Sequence, residues 1–243
     1  MTEWEGPAVV LDARPYNEAD ALVTVMTEAH GPHRGLARGG ASRRHAALWQ
    51  RGNLVQARWV ARLADQLGSI TAELVHPGAV LAMDDPLALA VVSAACAVAE
   101  GAVPEREPHP ILFGNLVGLI DGLQRDPAPV ATLVRWEAGL LAELGYGLDL
   151  RRCAVTGRTE NLHRVSPRTG RAVSDEAAGT WLDRLLPLPP FLVEGGPGDP
   201  ASWHDGLRLT GHFLARNAFG HHHKDLPAAR IMLADRVSAL LSS

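Results

Sequence analysis

The sequence has two cysteines, Cys96 and Cys153, in 243 residues, and a single lysine, Lys224. Two thiols so far apart supply neither a disulfide framework nor a four-cysteine metal site, and a reducing cytoplasm is the expected setting. The longest apolar run, Leu87 to Ala99, is 13 residues and alanine-rich. It is too short to span a bilayer and reads as a buried helix. Trp4 is flanked by Glu3 and Glu5, so no basic n-region and apolar h-region opens the chain. The expectation is a cytoplasmic protein with no membrane association. Walker A is missing, because Lys224 follows three histidines instead of a glycine-rich strand-to-helix loop; this excludes P-loop hydrolysis. G-x-S-x-G and H-E-x-x-H are absent as well. Cys153 and His163 have no orienting acid or oxyanion motif beside them, so a packed or surface thiol is expected. The His221–His223 run places neighbouring rings in different directions, which suits a solvated loop better than a metal site. Nothing demands an enzyme, a cofactor or a metal.

Acids are missing where the cations concentrate. From Gly31 to Arg62 there are seven arginines (Arg34, Arg38, Arg43, Arg44, Arg51, Arg58, Arg62) and no Asp or Glu, in a chain of net charge −4. The thirty residues before carry six acids and one arginine. Clustered cations are what phosphate binding needs, whatever the overall balance. A solvated basic face is the competing interpretation.

With 47% hydrophobic and 21% charged residues the chain is an ordinary globular protein. Its first ~80 residues show strand periods and turn punctuation: Pro7–Ala13, Asp20–Thr27, His33–Gly39, Asn53–Arg62 and Gly68–His76. In the fourth, Val55, Ala57, Trp59 and Ala61 share one face, with Gln56, Arg58 and Arg62 on the other. Gly40 to Gly52 has room for a short helix. Five short strands fit a small closed barrel of the OB type, or an open antiparallel sheet. After Asp84-Asp85-Pro86 the period becomes helical, with Pro86 at a first helical position. Further helices are expected over Ile111–Leu123, Pro129–Leu144, Ser202–Ala218 and Leu226–Leu241. Pro129–Leu144 carries a stripe of Leu133, Trp136, Leu140, Leu141 and Leu144, and the last helix one of Ile231, Ala234, Val237 and Leu241. Residues 146–180 lack a period and are basic, with six arginines from Arg151 to Arg171 against Glu160. The division expected is a nucleic-acid-binding domain over 1–80 and a helical domain over 81–243, interrupted by the basic insertion at about 146–180.

Three segments together resemble the bacterial RecO family of recombination mediators: VVLDARPYNEADALVTVMTEAHGPHRGLARGGASRR, RWEAGLLAELGYGLDLRRCAVTG and SPRTGRAVS. The likeness spans nearly the whole chain in the expected order. It implies an α+β multidomain architecture: an N-terminal five-stranded OB-fold β-barrel, then an α-helical domain with a zinc-finger-like insertion. It also implies binding of single- and double-stranded DNA, annealing of complementary strands, and loading of recombinase onto strands coated by single-stranded DNA-binding protein (SSB), with RecR as partner. A cytoplasmic, nucleoid-associated location goes with that role in DNA damage repair. One departure matters. Many members hold zinc with two cysteine pairs in the insertion, whereas here Cys153 stands with Thr156, Ser174 and Ala177 at the other ligand positions. One thiol cannot build a tetrahedral site, so the insertion lacks its metal ligands.

The resemblance places Arg14, Arg34, Arg38, Arg43 and Arg44 on the barrel as phosphate contacts, and Arg58 joins them from its outward strand position. Arg135, opening the RWE motif, lies where the acidic C-terminal tail of SSB docks in the family. The competing reading is an i, i+4 ion-pair partner on an exposed helix face, which Gly139 at i+4 weakens. Trp49 could offer a stacking face, Trp59 suits the core, and Lys224 and Arg230 could extend the cationic surface. Two other classes remain open on the residues alone. A barrel with arginines and few exposed aromatics also suits an RNA-binding adaptor. A thiol- or metal-dependent hydrolase built on Cys153 or the histidines has thinner support.

Overall fold

The computed structural model describes residues 1–43 and 45–242. These fall into two compact units, Met1–Arg125 and Asp126–Ser243.

The first unit is built on a closed five-stranded barrel of order β1-β2-β3-β5-β4: β1 (Thr2–Pro15), β2 (Ala21–Thr27), β3 (Gly31–Ala37), β4 (Leu54–Ala61) and β5 (Ser69–His76). At 14 residues β1 serves two partners, pairing β4 through Thr2–Val9 and β2 through Ala8–Pro15, with a register shift between Val10 and Asp12. A short parallel contact, Leu36 opposite Ser69, closes the ring. The OB-type barrel is the observed alternative, and closure removes the sheet edges. Val10, Val23, Val25, Val55, Trp59 and Ile70 fill its interior. Gly35 is required at this point, since a Cβ there would lie 2.8 Å from the Ile70 Cβ. Strand β4 alternates as its sequence implies: Val55, Ala57, Trp59 and Ala61 are buried and Arg58 is exposed.

Residues 38–43 and 45–53 are almost all in turns, and none of them is in a helix, where Gly40 to Gly52 had room for a short one. The physical cause is local. Gly39 and Gly52 both take positive φ, and the Asn53 amide donates to the carbonyls of Ala47 and Leu48 at 2.9 and 3.0 Å, folding the segment back on itself.

Helix α1 (Gly78–Leu81) leads into α2 (Pro86–Ala102) and α3 (Pro110–Gly122). Pro86 sits at the first turn of α2, and the Asp85 side chain caps it by accepting from the Leu87 N–H at 2.7 Å. Most of the alanine-rich run is buried, Cys96 included, while Leu89 is exposed. Helix α2 packs on β1, and Gly52 meets it so closely that a Cβ would come within 2.3 Å of Val92. The strand-to-helix change near residue 80 and the boundary between the compact units are therefore different divisions of the chain.

The second unit begins with α4 (Pro129–Glu143), whose Leu133, Trp136, Leu140 and Leu141 are buried as the stripe implies. The insertion contains β6 (Leu162–Val165), β7 (Ala172–Ser174) and the four-residue α5 (Asp175–Ala178), followed by a 3-10 segment, Gly179–Arg184. Strand β8 (Leu186–Pro187) completes a sheet of order β7-β6-β8. Helix α6 (Pro200–Phe213) starts with a reciprocal cap: Asp199 accepts from the Ser202 N–H and the Ser202 hydroxyl accepts from the Asp199 N–H, both at 2.8 Å. A π-helical turn, Leu214–Phe219, extends it.

In α7 (Ala228–Ala239) the buried face is Arg230, Leu233 and Val237, while Ile231 and Leu241 are about half exposed. The expected apolar stripe is thus rotated, and Arg230 is not on the surface. Its Nε donates to Glu137 Oε1 at 2.5 Å, and its Nη2 donates to Glu137 Oε2 at 3.0 Å and to the Leu207 carbonyl at 2.8 Å. The Thr210 hydroxyl gives Glu137 a further bond at 2.5 Å. A buried carboxylate on α4 demands a buried cation, and Arg230 meets that demand in place of an apolar side chain. No helix among the described residues is long and apolar enough to cross a membrane.

Candidate nucleic-acid interface

The RPYNEAD segment is the turn between β1 and β2, and its polar residues organise it. Asn17 Oδ1 accepts from the N–H groups of Ala19 and Asp20, and its amide donates to the Asp20 carboxylate at 2.9 Å. Asp20 then accepts from the Gly39 N–H at 2.8 Å. That backbone bond, followed by Asn17 and the charge of Arg38, holds the Asp20 carboxyl below its ordinary value. The Ala41 N–H donates to the Ala19 carbonyl at 2.8 Å. The turn and the root of the 38–53 connection are stitched together there, with Arg38 close enough for its charge to act on Asp20. A depression of about 350 Å³ between them is lined by Arg14, Gly40, Ala41 and Arg51 with Asp12.

The basic block is partly neutralised by acids distant in sequence. Asp12, 4% exposed, is shared by Arg14 at 2.5 Å and by Arg51. The Asp12 charge, with a smaller contribution from Glu100, raises the Arg14 guanidinium above its ordinary pKa. Glu100 on α2 lies 3.5 Å from Arg14 and 3.8 Å from Arg34, and Glu105 lies 3.9 Å from Arg34. Arg14, Arg34 and Arg51 are therefore gathered around three carboxylates, Asp12, Glu100 and Glu105, and remain substantially exposed. Arg38, Arg43 and Arg62 are exposed and have no carboxylate within 4.0 Å among the described residues. Arg58 stands apart. It pairs with Glu3 at 2.7 Å and lines a depression that also contains Glu5 and Glu73. Arg44 lies outside the described residues.

Aromatic placement departs from one expectation. Trp49 is 5% exposed and packs into the barrel core, so it offers no stacking face. Trp59 is core, its indole donating to the carbonyls of Leu67 at 2.8 Å and Arg34 at 3.2 Å. It belongs to a ring cluster with Trp4, His30 and His33. Burial, with the nearby charges of Arg106 and His30, pushes the His33 imidazole down to about 4. Arg106 escaped sequence reasoning: it takes φ +65°, donates to the Ala64 and Gln66 carbonyls, and sits 5.9 Å from the Trp59 ring centroid. Nothing in the PEREP run signals that reach of 40 residues.

In the second unit Arg135 projects from α4 with its guanidinium 5.2 Å from the Phe191 ring centroid. Its Nη2 donates to the Gly196 carbonyl and, at 3.4 Å, to that of Phe191. Trp203 fixes the same loop by donating to the Pro197 carbonyl at 2.8 Å. Phe191, Gly196 and Pro197 line a cavity of about 640 Å³. Lys224 is exposed, and the histidine run forms a 3-10 turn in which His221 stacks on Tyr146 at 5.7 Å.

In the insertion, the Cys153 Sγ accepts from the Ser174 N–H at 3.3 Å, the Ser174 hydroxyl at 3.4 Å and the Thr156 N–H at 3.5 Å. Burial raises the thiol, but these donors outweigh it and bring it down to about 6. Two side chains at ligand positions of the zinc-bearing pattern thus meet through hydrogen bonds. Among the described residues no group of three His, Cys, Asp or Glu is placed to hold a metal ion.

Comparison with known proteins covers both units. Residues 1–77 match the family described as "Recombination protein O N terminal" and residues 83–227 match "Recombination protein O C terminal". The chain is 60% identical over 241 residues to a protein of Granulibacter bethesdensis named "DNA repair protein RecO", covering 98% of this chain and 96% of that one. A protein of the same name from Gluconacetobacter diazotrophicus is 57% identical over 244 residues, covering 98% and 96%. One from Acidiphilium cryptum is 55% identical, covering 99% and 97%.

Proposed function

This chain belongs to the RecO family, and we propose that it serves DNA repair as a non-enzymatic mediator. In this reading it binds single- and double-stranded DNA, anneals complementary strands, and loads recombinase onto SSB-coated DNA with RecR. The observation that carries the reading is the arginine surface stitched around the β1–β2 turn of the barrel. Arg38 and Arg43, without close carboxylates, are the principal phosphate contacts. Arg14 and Arg34 contribute by exchanging Asp12 and Glu100 for phosphate. Arg44 completes the run by its place in the sequence, and Arg58, offset by Glu3, contributes least. Among the described ones, none sits on a helix that could read bases, so binding is electrostatic and weakly selective.

Arg135 is proposed as the seat of the acidic SSB tail. A guanidinium grips a terminal carboxylate through two parallel bonds, and the apolar wall beside Arg135 suits the tail's side chains. Annealing of complementary oligonucleotides coated with SSB tests the whole reading. Acceleration without nucleotide or added metal supports it. No acceleration, with the coated strands intact and the protein folded, removes it. An RNA adaptor would instead prefer RNA over single-stranded DNA at matched salt.

A further inference from the structure

The insertion carries an apolar groove of about 470 Å³ that the barrel and Arg135 do not account for. Val155, Val173, Ala178 and Trp181 form its walls, and Arg168 and Arg184 line it without any acid. Trp181 is 59% exposed, whereas Trp49, Trp59 and Trp136 are at most 5% exposed and Trp4 and Trp203 are partly covered. Val155, 72% exposed, lines the same groove, so the exposed apolar surface is shared by neighbouring side chains and is not a lone indole. The Arg184 guanidinium lies 5.1 Å from the Trp181 ring centroid, and more than half of that residue is still open to solvent. The groove is also braced. Arg216 donates to the Pro167 and Arg168 carbonyls, and His212 Nε2 lies 3.0 Å from the same Pro167 oxygen. From 151 to 184 there are seven arginines against four acids, and two of those acids are engaged, Glu176 with Arg158 and Asp175 with His163.

We propose that this groove is a second seat for single-stranded nucleic acid, with a base stacked on Trp181 and the flanking phosphates held by Arg168 and Arg184. The proposal rests on the reading of the chain as a DNA-binding protein. A flat aromatic platform bounded by guanidinium groups matches a nucleotide in both parts: the base meets the indole and the phosphate meets the charge. Annealing brings two strands to one protein, and a seat in each unit gives each strand a place.

The test uses the full chain and fluorescence anisotropy of a labelled oligothymidylate. It is run on the wild-type protein and on an Arg38→Ala/Arg43→Ala background in which the barrel surface is weakened. In that background Trp181→Ala should lower the remaining affinity about tenfold, within the range of a base–aromatic stack. Trp181→Phe should restore most of it. Arg168→Ala/Arg184→Ala should reduce the salt slope by about two, while Trp181→Ala leaves the slope unchanged. If the barrel variant binds less but every groove variant behaves like its parent, the groove proposal is wrong and the barrel reading stands. Loss of binding in neither set removes both. A labelled acidic amphipathic peptide is the control for a protein partner. Binding of that peptide sensitive to Trp181→Ala, with oligothymidylate unaffected, would overturn the proposal in favour of a protein-docking groove.

Discussion

Replacing Arg230 by Met should strip the second unit of its internal charge balance. The Glu137 carboxylate is 0% exposed and Arg230 2% exposed, joined through two guanidinium contacts at 2.5 and 3.0 Å. Removing one partner of such a pair typically costs about 3–5 kcal/mol, because the other charge is stranded in a low-dielectric interior. The Leu207 carbonyl also loses its 2.8 Å donor. For a chain of this size each kcal/mol lowers a melting transition by about 2–4 °C, so a drop of roughly 6–20 °C is expected for the unit that contains α7. Calorimetry of the wild type, Arg230→Met, Glu137→Leu and the double variant gives a complete cycle. The double variant should recover much of the loss, since an apolar pair can replace a buried ion pair at little cost. A single-variant penalty below about 0.5 kcal/mol would match an ordinary surface arginine and refute the buried pairing.

Arg135→Ala should weaken an SSB tail peptide about ten- to a hundredfold, the cost of roughly 1.5–3 kcal/mol for a charge-assisted contact, with naked oligonucleotide affinity little changed; equal loss on both ligands in an anisotropy titration would merge the two sites. Because the native state keeps His33 neutral down to about 4 while the unfolded chain protonates near 6.5, the unfolded state binds more protons between those values. Stability should therefore fall as pH drops through that window, by at most about 1.4 kcal/mol per pH unit. His33→Phe should lack this component when denaturant midpoints are compared at pH 7 and pH 5. Metal analysis of purified, untagged protein should find well under one zinc per chain, and stoichiometric zinc surviving dialysis would contradict the hydrogen-bonded Cys153 account.

Much of this architecture was legible because burial imposes a period. Strand β4 alternates cleanly, since one face of a barrel strand is core and the other is water. Helix α4 shows its stripe for the same reason. Helix α7 misleads because a buried carboxylate on another helix inverts the rule: the inward position at Arg230 is charged, so the apolar pattern points the wrong way. Trp49 misleads differently. Its burial depends on Asn53 folding the connection back, a contact with no periodic signature. The arginine block was visible in the sequence, but its partial neutralisation was not. Glu100 and Glu105 lie far along the chain and reach Arg14 and Arg34 only through the packing of the first unit. A window without acids in sequence is therefore not one without acids in space, and among the described residues it is Arg38, Arg43 and Arg62 that have no carboxylate within 4.0 Å.

The barrel surface is tested most directly by the salt dependence of oligonucleotide binding. Affinities of the wild type and of Arg38→Ala/Arg43→Ala/Arg44→Ala are measured across a salt series, with the fold of each checked by circular dichroism. If these arginines hold phosphates, the slope of log affinity against log salt should flatten by roughly two to three units in the triple variant. An unchanged slope in a folded triple variant would place DNA elsewhere on the molecule and contradict the account.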